Sequence, residues 1–239
     1  MDTVTAGDAR DLFRIVTARD DSHGARRPII AAAIGCANII LCAYCERFVT
    51  GPEWHETLRT VLAMQLGLIE ALAMGIYLQI AEPVLHRTRI HPVGSRQRFL
   101  FAVMTVMRHR YMVVTIASSV FSLTMMLHPT FLRGLLVALV ILVPELTALV
   151  ASTALVVVVG RWAGSGALAL AIAGFLACII AVVSVVFPET EIMHMLIPLE
   201  WWLRSCVAAL RGITAGALVW LAPFLLVTGV AWAGGARYA

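Results

Sequence analysis

The amino-acid sequence predicts an all-α integral membrane protein with six transmembrane helices. Of its 239 residues, 61% are hydrophobic and 13% are charged, whereas soluble domains average roughly 45–50% apolar and about 25% charged residues. Six apolar segments reach the length of about 20 residues that a helix needs to cross a bilayer. The alternating pattern of a membrane β-barrel does not occur. Helices are therefore predicted, because they satisfy their own backbone hydrogen bonds in lipid.

The chain divides into a short N-terminal piece and one membrane domain. Residues 1–28 form a polar cytoplasmic tail, in which Leu12, Ile15 and Val16 share one helical stripe. That pattern is typical of an amphipathic helix lying in the membrane interface, here an elbow helix. Residues 29–239 form the transmembrane domain, with predicted spans at 29–49, 58–82, 111–127, 134–159, 166–187 and 213–234.

The third of these spans is short, and the apolar stretch Phe99–Met107 lies just before it. Nine residues make a helix of about 14 Å, which cannot cross a bilayer. The stretch is therefore predicted to be either an interfacial helix or the lower end of a long third helix.

The arginines set the predicted orientation. All 18 basic residues are arginine. With a cytoplasmic N-terminus, thirteen of them fall inside and five outside. Since an excess of positive charge marks cytoplasmic loops, both termini are predicted to be cytoplasmic. We expect a multi-pass protein of the bacterial cytoplasmic (inner) membrane.

Two long pieces between the predicted spans have distinct compositions. Residues 83–110 carry six arginines and no acidic residue, and they are broken by a turn-like stretch at 91–95. Residues 188–212 are apolar but are interrupted by Pro188 and Pro198, so neither half can span. We predict that these halves are two short helices, a re-entrant hairpin that dips into the outer leaflet.

This order of elements is similar to that of the transmembrane (permease) subunit of a type-2 ABC transporter, the exporter-type fold. Local resemblance lies in LHRTRIHPVGSRQRFLFAVMTVMRHR, residues 85–110: a basic helix, a proline followed by a small polar residue and an arginine, then an apolar helix. The resemblance implies that residues 83–98 form a coupling helix on a separate cytoplasmic ABC ATPase. The implied coupling residues are Arg87, Arg89, His91, Pro92, Ser95, Arg96 and Arg98.

The same resemblance implies an assembly. A second copy or a homologous permease would complete a dimer, which would export a hydrophobic or amphipathic solute. ATP and Mg²⁺ would bind to the partner ATPase, and this chain would bind no cofactor. The chain has no lysine and therefore no P-loop of its own. The expected partners are ATPase subunits, the second permease and the lipid bilayer, with no nucleic acid.

Ionisable residues inside spans are the candidates for a substrate path, because they are costly to bury in lipid. Glu70 lies near the middle of the second span, and Glu145 follows Pro144 near the middle of the fourth. The proline can kink the helix beside the carboxylate. Alternatively, each carboxyl group bonds a hydroxyl or backbone group between helices. The outer gate candidates are the acids and one proline of the broken segment, Glu189, Glu191, Pro198 and Glu200.

Two glutamines of the second span suggest a packed face. Gln65 and Gln79 lie fourteen residues apart. Fourteen residues are close to four helical turns, so the two side chains are predicted to share one face, which we interpret as packed against another helix.

No catalytic or metal motif appears. The sequence has no HExxH and no GxSxG. His194 with Glu191 would supply only two of the four ligands of a closed zinc site. We therefore predict that the chain is not an enzyme and holds no metal. Two other functions stay open: an intramembrane lipid- or peptide-modifying enzyme that uses Glu70 or Glu145, and a non-catalytic membrane scaffold.

Overall fold

The computed structural model describes residues 54–83, 94–127, 131–163 and 198–239, with a few helical residues between 32 and 43. In the longer ranges every regular element is a helix. These are α1 (Trp54–Ile76, continued by a π-helix at Tyr77–Ala81), α2 (Ser95–Arg108), α3 (Arg110–Met126), α4 (Phe131–Ala163), α5 (Pro198–Leu210) and α6 (Thr214–Tyr238).

Three helices are long and apolar enough to cross a bilayer: Thr57–Ala81, Arg133–Gly160 and Thr214–Tyr238. They lie within a few residues of the predicted spans 58–82, 134–159 and 213–234. α2 and α3 make a fourth candidate if that bent pair is one span. The protein is thus all-helical across its described elements, with three or four candidate membrane spans.

The other predicted elements fall mainly outside the described residues. These are the elbow helix in 1–28, most of the span 29–49, the span 166–187 and the first half of the hairpin 188–212. Gly35 is described and lies beside α3, where an added Cβ would be 3.1 Å from Cγ1 of Val114. A small residue at such a point permits close helix approach. The full six-span layout remains a prediction.

α2 and α3 are distinct helices that meet at a bend of 63°. His109 is the joint between them, with extended backbone at φ −63° and ψ 133°. Its Nδ1 accepts a hydrogen bond from the backbone N–H of Tyr111 at 3.4 Å, which caps the first turn of α3. Phe99–Met107 is therefore not the lower end of a straight third helix. It belongs to a separate short helix.

α4 is the central helix of the described part, because it contacts each of the five other helices. Its 33 residues make a rod of about 50 Å, longer than the hydrocarbon core of about 30 Å. Its contacts with α6 are the most extensive. α4 therefore links the two ends of the bundle.

The apolar core consists of two clusters, one at each end of the bundle. The first surrounds Phe99 and joins α2 to the last parts of α1, α4 and α6. The second surrounds Trp202 and joins α5 to the first parts of α1, α4 and α6. We call these ends the Phe99 end and the Trp202 end. α1, α4 and α6 run in the same direction between them, as the second, fourth and sixth predicted spans should.

The prediction that Gln65 and Gln79 share one packed face of the helix is wrong. Gln65 is buried, whereas Gln79 is exposed. The π-helical turn at Tyr77–Ala81 explains the difference. A π-helix has more residues per turn than an α-helix, so residues in this turn rotate away from the face that the α-helical period assigns.

Candidate functional site

A layer of buried or partly buried polar side chains lies between the two apolar clusters. Along α1, α4 and α6, the residues of this layer follow those of the Trp202 cluster and precede those of the Phe99 cluster. Along α3 the order is reversed. Its members, the polar layer, are Gln65, Ser118, Ser119, Ser122, Glu145, Thr147 and Thr228. Glu145 and Ser119 are fully buried. The layer therefore sits near the middle of the candidate spans.

Hydrogen bonds tie α4 to a neighbour on each side at this depth. The Ser119 hydroxyl on α3 donates to Oε1 of Glu145. The hydroxyls of Thr147 and Thr228, on α4 and α6, are 2.9 Å apart. Hydrogen bonds between helices in lipid contribute on the order of 1 kcal/mol each. These two bonds hold α3, α4 and α6 in a fixed register.

Some atoms of the layer have unused bonding capacity within the described ranges. Oε2 of Glu145 and the hydroxyl of Ser122 are buried and have no hydrogen-bond partner there. Burying an unbonded polar atom costs free energy. These atoms are where the layer can accept a further hydrogen-bonding group.

The predicted path residues are placed as follows. Glu145 and Pro144 are buried inside α4, and Glu70 is partly buried on α1. The described hydrogen-bond partner of Glu145 is Ser119 rather than Glu70. An apolar groove of about 710 Å³ separates α3 from α4, and its wall includes Leu142 and Leu146 but not Glu145. A substrate path past these carboxyl groups stays a prediction.

At the Phe99 end, α2 is seated on the bundle by one apolar face. Phe99 is fully buried and packs edge-on to Trp232, with ring centroids 5.2 Å apart. A Cβ atom built on Gly235 would overlap the Phe99 ring. Glycine is required there because the ring lies directly on the α6 backbone.

The predicted coupling residues are only partly described. Ser95 and Arg96 are exposed in the first turn of α2, and Arg98 is half-buried in the same turn. Arg87, Arg89, His91 and Pro92 lie outside the described residues. The described members of this predicted set thus lie in the first turn of α2.

At the Trp202 end, α5 is held at both of its ends by arginines from candidate spans. Arg59 of α1 forms an ion pair with Glu200 at 2.8 Å. Nη1 of Arg133, at the start of α4, donates to the carbonyl of Leu210 at 3.0 Å. The thirteen residues of α5 make only about 20 Å of helix, so α5 is a short enclosed helix rather than a span.

The outer gate candidates have different outcomes. Pro198 begins α5, the position where a missing N–H costs nothing. Glu200 is buried and paired, while Glu189 and Glu191 lie outside the described residues. Sequence reasoning missed Arg59 and Arg133 because it used them only to count charge. Their positions at the starts of two apolar segments were the available signal.

No family model, curated protein or solved structure matches this chain. Within the described ranges, no group of three His, Cys, Asp or Glu side chains is arranged to hold a metal ion. Function is therefore inferred from the residues and their geometry.

Proposed function

We propose that this chain is the membrane-spanning subunit of an ABC transporter with the type-2, exporter-type fold. A separate cytoplasmic ABC ATPase binds Mg²⁺-ATP and docks on residues 83–98. The chain works with a second permease, and the solute is hydrophobic or amphipathic. On this proposal the Phe99 end faces the cytoplasm of a bacterial cell.

The observation that carries the proposal is the seating of α2. This short helix contacts α1, α4 and α6 near their ends, and the rigid contact of Phe99 with the Gly235 backbone fixes its position. A helix held in this way transmits a rigid-body movement to several spans at once. A push on α2 would therefore reach the membrane helices without bending α2.

The exposed first turn of α2 suits a soluble partner. Ser95, Arg96 and Gln97 are exposed at its start. The planar fork of an arginine favours fixed contacts with acidic groups. The bend at His109 then leads from α2 directly into α3, so a movement of α2 also turns the start of α3.

Anionic lipid is the other partner that an arginine-rich segment attracts, at about 1 kcal/mol per arginine near the surface. That attraction depends on charge and distance alone. It does not require a helix seated through a buried face on three candidate spans. Docking of a protein partner accounts for both the charge and the seating.

Charge reversal tests this proposal. The triple variant Arg87→Glu, Arg89→Glu and Arg96→Glu should still insert but should retain about tenfold less co-purified ATPase, a loss of about 1.4 kcal/mol in binding. The readouts are a P-loop chain identified by mass spectrometry and Mg²⁺-ATP hydrolysis in the purified fraction. Arg237→Glu, an exposed arginine at the same end, is the control and should retain the ATPase. Undiminished association in the triple variant would show that the segment is only a topology signal.

A second variant separates transport from intramembrane catalysis. Glu145→Gln keeps the shape of the side chain and leaves the surface of α2 unchanged. The proposal expects normal ATPase association in this variant. An enzyme that uses Glu145 would instead show turnover without any ATPase, and Glu145→Gln would abolish that turnover.

A further inference from the structure

An open groove lies at the Trp202 end, between the first turns of α4 and α6. Its volume is about 410 Å³, and its wall includes Arg133, Leu135, Leu139, Gly212, Thr214 and Leu218. The rim is cationic, and the leucines below it are open. Leu135 is 83% exposed and Leu218 is 48% exposed. The groove therefore joins a positive charge to an apolar slot.

The depth of the groove matches the edge of the hydrocarbon core. Arg133 and Thr214 are the first residues of two candidate spans. Long cationic side chains at such positions reach the headgroup region while apolar residues below them face acyl chains. The groove thus runs from headgroup level into the hydrocarbon.

The guanidinium of Arg133 is fixed in place at the rim. It donates through Nη1 to the Leu210 carbonyl, which occupies one of its five N–H donors. Gly212 has φ 76°, and a Cβ there would lie 2.9 Å from Nη2 of Arg133. The glycine therefore lets the guanidinium rest against the backbone. Arg133 itself remains exposed, and a planar guanidinium fork matches a phosphate group.

Neighbouring charges favour an anion at this rim. Arg211 is exposed and adjoins Gly212. Arg204 stacks on Trp220, with its Cζ 4.8 Å from the ring centroid. Glu200 is already paired with Arg59. The described arginines at this end therefore outnumber the described acidic residues.

We infer that this groove binds one anionic phospholipid, with the phosphate on Arg133 and an acyl chain along Leu135, Leu139 and Leu218. A second copy of the chain fits less well, because a two-fold contact at this surface would bring two positive rims together. A bilayer lipid supplies the negative head and the apolar tail together. This site does not depend on the proposed transport function.

Native mass spectrometry of the full chain in detergent tests the inference. The protein is titrated with dioleoylphosphatidylglycerol or with dioleoylphosphatidylcholine, which have the same acyl chains. The first bound lipid should be about tenfold tighter for phosphatidylglycerol, because both lipids offer a phosphate but only phosphatidylcholine carries a choline cation, which Arg133 at the rim repels. Arg133→Gln should remove that preference, and Arg237→Gln, an exposed arginine at the Phe99 end, should retain it. Equal binding of both lipids to the unaltered protein, or a preference that survives Arg133→Gln, overturns the inference.

A second variant tests the apolar part of the groove and leaves Arg133 unchanged. Leu218→Trp narrows the groove and should weaken both lipids by a similar factor. Circular dichroism and the thermal midpoint in detergent show whether each variant is folded. Unchanged lipid binding in Leu218→Trp overturns the acyl-chain position. Loss of a dimer with unchanged lipid binding would instead identify the groove as an interface between copies.

Discussion

α2 and α5 are nearly equal in length, with 14 and 13 residues, and each is too short to cross a bilayer alone. They differ in how much of their surface the bundle buries. α2 buries one face and leaves several residues exposed, including Ser95, Arg96 and Leu100. No residue of α5 from 199 to 210 is exposed. The arginine at the exposed start of α2, Arg96, belongs to α2 itself. The arginines that contact α5 belong to α1 and α4.

The difference shows how arginine at a membrane edge can have opposite roles. On α2, Arg96 is exposed at the start of a helix that is anchored by its buried apolar residues. Around α5, Arg59 and Arg133 contact the helix itself and neutralise or cap its two ends. α2 is thus exposed at its start, whereas α5 is enclosed along its length. Three predictions test this contrast.

The largest expected effect is at the seat of α2. Phe99→Ala should lower the free energy of unfolding by about 3–5 kcal/mol, because it removes a fully buried ring. Gly235→Ala approaches the same contact from α6 and should cost about 1–3 kcal/mol through overpacking. Denaturation in detergent measures both. Leu100→Ala, on the exposed side of α2, is the control and should cost little. Similar losses for Phe99→Ala and Leu100→Ala would show that α2 is not anchored by this face.

The next effect is at the enclosed helix. Glu200→Gln should cost about 2 kcal/mol, less than the loss of a fully buried pair, because the Arg59 side chain is 21% exposed. Cys206 reports the result. It is buried in α5, and burial raises the pKa of its thiol well above the ordinary value, so alkylation of the folded protein should be slow.

The measurement uses a variant in which Cys206 is the only cysteine. Glu200→Gln should increase the rate of Cys206 alkylation, and adding Arg59→Gln should reverse part of that increase by removing the unpaired charge. Equal alkylation rates with and without Glu200→Gln would mean that the ion pair does not hold α5 in place.

The smallest effect is at the bend between α2 and α3. His109→Ala should cost about 1 kcal/mol through loss of the cap on α3. His109→Asn can still accept a hydrogen bond from the N–H of Tyr111 and should recover most of that loss. The thermal midpoint in detergent distinguishes the two variants. If His109→Asn is as destabilised as His109→Ala, the ring packing against Tyr111, rather than the cap, supports the joint.

Much of the candidate site could be found in the sequence one residue at a time. Glu145 could be identified as a carboxyl group inside a long apolar segment. Glu200 could be identified as an acidic residue in an apolar segment that prolines interrupt. Their partners were not evident, because Ser119 and Arg59 belong to other helices and no periodic pattern links residues so far apart in the chain. The polar layer was missed for the same reason, since each of its hydroxyl residues is an ordinary member of its own helix.

The sequence by itself determined the membrane class, the positions of three candidate spans and the fact that the segments of α2 and α5 are too short to cross alone. Those properties depend on apolar length along one chain segment, which can be read without any neighbour. The tertiary structure alone decided the bend at His109, the rotated face of Gln79 and the seat of Phe99 on Gly235. It also decided that Arg59 and Arg133 close on α5. Such contacts depend on where packed helices place atoms relative to one another, and length and composition do not specify that geometry.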